Sequence, residues 1–253
     1  MRGMDKRYGA VMAMDQASLK VEPGRIMALL GSNGSGKSTM VKVLAGIVNP
    51  NAGEVLVDGQ PVTIRSGNDA RRLGIATAFQ DLSLVPTMSV LDNILLGQEP
   101  QGQLGLIDRK ASRQQVQELL DRFQIKCDLD DFVNTLMPST LSMLEVAKAV
   151  SHKPRLLLLD EVTAALHQDE IPVLFGILRE LREEGVAMVY VTHRMNEIFQ
   201  ICDDATIMRG GRTVYTGPVG GLSLREIVYY MTGNRPEALA AERADRDAPQ
   251  CAV

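Results

Sequence analysis

Short apolar runs alternate with stretches of helical periodicity along most of this chain. Ile26–Leu30 is continuously apolar, and Met40, Val41 and Leu44 then recur at helical spacing. Residues 11–60 read as short strands around that point. Gly53–Gly59 predicts a strand ending in an Asp-Gly hairpin turn. Gly74–Phe79 predicts a further strand leading into Gln80. From about Pro86 to Val150 the pattern is helical, with Leu119, Leu120 and Phe123 on one face and Leu144, Val146, Ala147 and Val150 on another. Pro154 breaks it. Leu156–Leu159 is fully apolar, as a strand buried on both faces requires. Leu174, Ile177, Leu178 and Leu181 mark an amphipathic helix that Gly185 ends, and Val186–Val191 is the next buried strand. Ala205–Met208, Gly210-Gly211 and Thr213–Thr216 predict a hairpin. Strands alternating with helices predict an α/β fold with a largely parallel sheet. No internal repeat is visible. Residues 237–253 are rich in Ala, Arg and Asp without periodicity and read as a disordered tail beyond a domain of residues 1–236.

Composition narrows the class. With 253 residues, 45% hydrophobic and 23% charged, the chain can bury one large core. A net charge of −4 argues against a general nucleic-acid binder, which carries a basic patch. No apolar stretch approaches the ~20 residues needed to span a bilayer. No signal peptide is evident, so a cytoplasmic setting is expected. Cys127, Cys202 and Cys251 are widely spaced and form no C-x-x-C pair, so neither a disulfide framework nor a zinc site is indicated.

The chemistry concentrates first in Gly31-Ser32-Asn33-Gly34-Ser35-Gly36-Lys37-Ser38-Thr39. These residues fit G-x-x-x-x-G-K-[ST] between a predicted strand and a predicted helix, the setting of a phosphate-binding loop. Glycines let successive N–H groups turn into one concavity. The helix N-terminus adds positive partial charge. Lys37 is the candidate for the β- and γ-phosphates and Ser38 for Mg²⁺. Downstream, the Leu156–Leu159 run ends in Asp160-Glu161. Carboxylates at the end of a buried strand lie where open α/β sheets bind ligands. Asp160 suits a Mg²⁺-holding carboxylate and Glu161 a base that polarises an attacking water. His193 ends the next strand in the same way, after Val189-Tyr190-Val191-Thr192, and is expected near the terminal phosphate.

In this order the motifs resemble those of the ATP-binding subunits of ABC transporters, over about residues 2–234. The resemblance implies a P-loop NTPase (RecA-like) fold with a mostly parallel sheet, an N-terminal antiparallel β part and an inserted α-helical subdomain at about 86–150. It implies ATP and Mg²⁺ as ligands, with Glu161, His193, Gln80 and Lys37 in the reaction. Ala76-Thr77-Ala78-Phe79-Gln80 matches the segment whose Gln contacts Mg²⁺ and water and couples to the membrane subunit. Lys6-Arg7-Tyr8-Gly9 places Tyr8 where an aromatic ring stacks on adenine. Asp81–Pro86, Asp92–Pro100, Thr163-Ala164-Ala165-Leu166 and Met231-Thr232-Gly233-Asn234 are similar to the branch that imports ribose and related monosaccharides. Many members of that branch fuse two ATPase halves, and this chain resembles the first. The implied partners are permease subunits, a substrate-binding protein reached through them, and a second ATPase domain in a homo- or heterodimer. The implied place is the cytoplasmic face of the cell membrane, peripherally, with no span of its own and no nucleic acid.

Three stretches depart from the family pattern. The signature, usually Leu-Ser-Gly-Gly-Gln, becomes Leu136-Met137-Pro138-Ser139-Thr140. Met137 lacks a hydroxyl, Pro138 lacks an N–H, and Ser139 adds a Cβ where close backbone approach is expected. Val162 stands where Pro usually follows Glu161, and His167 ends the segment that meets the partner subunit. Weak ATP hydrolysis is therefore expected unless a partner completes the site.

Overall fold

The computed structural model describes residues 1–79, 83–100 and 107–234. β1 (Arg2–Tyr8) and β2 (Val11–Ala17) form a hairpin; β3 (Ile26–Gly31) and α1 (Lys37–Leu44) follow. β4 (Ala52–Val57) and β5 (Gln60–Val62) return to the hairpin and complete an antiparallel sheet in the order β2-β1-β4-β5. The chain continues through α2 (Gly67–Arg72), β6 (Ile75–Ala78), α3 (Val90–Leu95), α4 (Arg109–Arg122), α5 (Pro138–Ser151) and β7 (Leu156–Asp160). It closes with α6 (Glu170–Glu183), β8 (Ala187–Val191), α7 (Met195–Ile201), β9 (Asp204–Arg209), β10 (Arg212–Pro218) and α8 (Leu224–Thr232).

The second sheet has the order β10-β9-β3-β8-β7-β6. Its neighbours pair in parallel except β10, which pairs antiparallel with β9 at the edge. Alternate residues of each parallel strand enter different cores, as the two-residue period demands. Leu157, Leu159, Met188 and Tyr190 pack against α5 and α6 through Val146, Ala147, Leu174 and Leu178. Leu158, Val189, Val191 and Leu29 pack on the other side, against α1 through Met40, Val41 and Leu44 and against the antiparallel sheet through Met4, Met14 and Val55. A third cluster joins Leu30 and Ile207 to Ile198 of α7 and Ile227 of α8.

Most predicted elements are present within a residue or two. The helical stretch after Pro86 resolves into α3, α4 and α5. Leu120 and Phe123 are buried as expected, joined by Val116 one turn earlier, while Leu119 is half-buried against the same core. A buried Asn93 in α3 accepts from Val85 N at 2.7 Å and donates to the carbonyls of Val85, Met88 and Ser89, which fixes the preceding loop. Three short helices, α2, α7 and α8, were not anticipated. The stretch 237–253, read above as a disordered tail, lies outside the described residues.

Leu158 lies fully buried at the middle of β7. Leu158→Ala is expected to lower the unfolding free energy by about 3 kcal/mol, from lost transfer energy and the cavity left behind. Urea unfolding measures this; a loss under ~1 kcal/mol would contradict the packing described.

Candidate functional site

The strand register sets the site. Leu29 of β3, Val191 of β8 and Asp160 of β7 lie level with one another across three adjacent strands. The phosphate-loop motif therefore begins two residues beyond this line at Gly31. Glu161 leaves it after one residue and His193 after two. All three segments emerge at the carboxyl edge of the sheet, where open α/β folds hold ligands.

The loop itself is shaped by backbone contacts. Gly31 has φ +152°, and a Cβ there would collide with Met208 O and Ser35 Oγ. Gly36 has φ +105°, and a Cβ there would meet Ala13 O of β2. These glycines thus let the loop lie against β9 and the β1–β2 hairpin. Ser35 N donates to Ser32 O at 3.1 Å, and Ser35 O accepts from Gly211 N at 3.1 Å, which pins the loop to the β9–β10 turn. Gly36 caps α1, with no side-chain cap and no acidic residue in the first turn. By contrast Ser66, Ser89, Asp108 and Ser223 cap α2, α3, α4 and α8 through their side chains. The first N–H groups of α1 have no intrahelical acceptor and suit an anion. Ser32, Asn33, Gly34 and Ser38 are exposed, while Thr39 is half-buried.

Lys37 folds back over the loop. Its Nζ donates to Gly31 O at 2.8 Å and to Ser32 O at 3.1 Å. Burial pushes the ammonium pKa below its ordinary value, while the charges of Glu161 and Asp160 act to raise it. The two carboxylates at the end of β7 and just beyond it thus share one electrostatic neighbourhood with the loop lysine. Among the described residues, no group of three or more His, Cys, Asp or Glu side chains could hold a metal. A cation here would take its ligands from Ser38, Asp160 and phosphate oxygens, a hard-oxygen set suited to Mg²⁺.

Glu161 has φ +51°, a left-handed conformation disfavoured for a residue with a Cβ. Its N–H donates to Val191 O at 3.0 Å, which ties the bend to β8. His193 is exposed, and its Nδ1 lies 3.5 Å from Glu161 Oε1. A cavity of about 290 Å³ opens against Glu161, bounded by Phe79, Ser142, Val162, Ala164 and Ala165. Tyr8 ends β1 with its ring exposed and Lys6 Nζ 5.1 Å from the ring centroid. The β1–β2 turn starts β2 at Val11, two residues and roughly 7 Å along the strand from the Ala13–Gly36 contact. Gln80 lies outside the described residues.

The segment Leu136–Thr140, expected at the signature position, opens α5. Met137 is exposed and caps the helix without a side-chain bond, Pro138 occupies the first helical position, and Ser139 is buried. Proline suits that position, since its missing N–H would have no intrahelical acceptor. His167 is exposed, and its N–H donates to Glu170 Oε2 at 2.7 Å at the start of α6. Sequence reasoning missed a buried group beside the site: Glu197, whose Oε2 accepts from Thr163, Tyr190 and Thr192.

The family model described as ABC transporter matches residues 14–164. The chain is 43% identical to a ribose import ATP-binding protein of Mesorhizobium japonicum, over 97% of this chain and 49% of that protein. It is likewise 43% identical to one of Rubrobacter xylanophilus, over 94% of this chain and 47% of the relative. The chain thus spans about half the length of these curated relatives. Among solved structures it resembles a nucleotide-free ATP-binding cassette from an ABC transporter, with TM-score 0.77, 21% identity and coverage of 92% of this chain and 94% of the other. It also resembles a dimeric cassette in a post-hydrolysis state with ADP and Pi, with TM-score 0.76, 23% identity and coverage of 87% and 98%. These likenesses show the fold.

The left-handed bend at Glu161 makes a stability prediction. A left-handed residue with a Cβ costs roughly 1 kcal/mol, a penalty glycine escapes. Glu161→Gly is therefore expected to leave the urea midpoint equal or higher. A clear drop would show that Glu161 is held without strain.

Proposed function

This chain belongs to the ABC transporter family, and on that premise we propose that it is the ATP-hydrolysing subunit of an importer for a simple sugar. The observation that carries the reading is the convergence of Lys37, Asp160, Glu161 and His193 at one sheet edge beside an uncapped helix N-terminus. The sugar class rests on the names of the relatives, which are ribose import proteins covering most of this chain.

In this reading ATP lies with its phosphates in the 31–39 loop and its adenine on Tyr8. Lys37 leaves the Gly31 and Ser32 carbonyls to meet the β- and γ-phosphates, and its partial burial strengthens that attraction. Ser38 and Asp160 would hold Mg²⁺ together with Gln80, and a bound ion would supply positive charge to offset that of the phosphates. Glu161 accepts a proton from the water that attacks the γ-phosphorus, and His193 steadies that phosphate from the neighbouring strand end. A second ATPase domain, from another copy or another polypeptide, closes over the site with its own signature segment and excludes water.

Permease subunits are the proposed membrane partners, with a substrate-binding protein on their far side. Among the described residues no helix is long and apolar enough to cross a membrane. A cavity of about 470 Å³ between β6 and α5, lined in part by Arg71, Phe79, Ser83, Glu145, Lys148 and His152, is the proposed seat of a permease segment. It borders the residues next to Gln80 and both ends of the helical subdomain proposed at about 86–150. In this reading the chain sits peripherally on the cytoplasmic face, docked on the permease.

Two variants test the reading. Lys37→Ala is expected to abolish ATP binding by calorimetry. Glu161→Gln is expected to keep binding and lose turnover, since the amide keeps shape without basicity. Unchanged affinity in the first, or wild-type turnover in the second, would sink it.

Met137-Pro138-Ser139 favours a second reading, an ATPase subunit weakened by its signature and dependent on a better partner. Loss of one oxyanion donor typically costs ~10²–10³ in rate. Combining Met137→Ser, Pro138→Gly and Ser139→Gly is expected to raise the ATPase rate at matched protein concentration. No increase would remove the support for this second reading.

A further inference from the structure

Glu197 lies buried in the first turn of α7, yet it touches none of the residues assigned above to nucleotide or water. Its Oε2 accepts three hydroxyl hydrogen bonds: from Thr192 Oγ1 at 2.7 Å, Tyr190 OH at 2.8 Å and Thr163 Oγ1 at 3.0 Å. Its Oε1 lies 3.5 Å from Arg194 Nη1. The donors come from different segments. Tyr190 belongs to β8. Thr192 immediately precedes His193, and Thr163 is two residues beyond Glu161. Thr192 Oγ1 also accepts from Arg194 N at 3.0 Å, so its own proton is free for Glu197 and the backbone on both sides of His193 is held. Burial, then the charge of Glu197, pushes the Tyr190 hydroxyl well above its ordinary pKa, so it remains a proton donor. A carboxylate is acceptor-only, and three convergent O–H donors are what it needs when water is excluded.

Burying a carboxylate is costly, and well-packed apolar residues often serve stability as well or better. The geometry shows what this one achieves instead. Glu161 and His193 come from separate strand ends and meet across 3.5 Å. The His193 side chain is 67% exposed, so little packing of its own fixes it. The sheet register aligns the strands, but each reactive side chain sits on the loop just beyond its strand. Glu197 bonds to both loops, through Thr163 on one and through Thr192 and Arg194 on the other.

We propose that Glu197 is a positioning residue, whose buried carboxylate joins the Thr163 segment to the Thr192–Arg194 segment and thereby sets His193 against Glu161. This rests on the reading of Glu161 and His193 as the hydrolytic pair. The carboxylate itself moves no proton in the reaction. Tyr190, on the strand rather than a loop, contributes to the hub through its hydroxyl bond to Glu197.

The test has two independent readouts on the full chain. The protein has three histidines, His152, His167 and His193, so imidazole ¹H–¹³C spectra can follow each ring. In Glu197→Gln, Thr163→Val and Thr192→Val the His193 resonance is expected to move, while those of His152 and His167 stay. In the same variants kcat for ATP is expected to fall about tenfold, part of the ~10²-fold that a 1 Å misplacement can cost, with KM within about twofold. Thr163→Ser and Thr192→Ser retain the hydroxyls and are expected to restore both readouts. Tyr190→Phe is expected to lower thermal stability with little change in kcat. An unmoved His193 signal, or a moved signal with unchanged kcat, overturns the proposal. If Glu197→Gln does not fold, the two Thr→Val variants decide. If the wild-type chain alone turns over no ATP, as the weakened signature allows, the His193 signal decides: an unmoved signal refutes the positioning role, while the proposed function is judged separately by loss of ATP binding in Lys37→Ala.

Discussion

Three parallel strands finishing level with one another are the constraint on which the site depends. Leu29, Val191 and Asp160 share a line across β3, β8 and β7, and both faces of these strands are buried. Strands buried on both faces cannot slip without moving apolar side chains into the wrong layer. The chain must therefore turn polar at the same height on all three, and it does so in the phosphate loop, in Asp160-Glu161 and in Thr192-His193. Hydrophobic packing fixes where the candidate chemistry lies, and the local backbone sets its fine geometry: three positive-φ glycines in the loop, a left-handed Glu161, and a carboxylate joining two loops.

Much of this was legible in the chain. The phosphate loop, the apolar run into Asp160-Glu161 and the run into Thr192-His193 are contiguous motifs whose meaning follows from local pattern. The short helices were harder. In α2 only Ala70 is buried, so no apolar period marks six residues held by the Ser66 cap. The capping box Ser223–Glu226 of α8 was a readable signal that went unused. The role of Glu197 was not legible, because an acid four residues after a histidine on a helix reads as surface. Its burial depends on Thr163, which is 34 residues away in the chain. Gln80 is assigned from motif alone.

The signature segment shows how a local rule and a functional rule can diverge. As a helix start, Met137-Pro138-Ser139 is sound, with proline at the first helical position. In the proposed reading it also faces a partner's nucleotide, and there it offers no side-chain hydroxyl at Met137 and no N–H at Pro138. On that reading, fold stability and assembly of a complete site place different demands on the same three residues.

Backbone amide NMR of the full chain, titrated with ATP and Mg²⁺, tests the central claim most directly. The uncapped helix and glycine-shaped loop predict that the largest shifts fall on residues 33–39, with Glu161 and His193 following. Shifts centred elsewhere, or none at saturating nucleotide, would contradict the assignment of this sheet edge as a phosphate site.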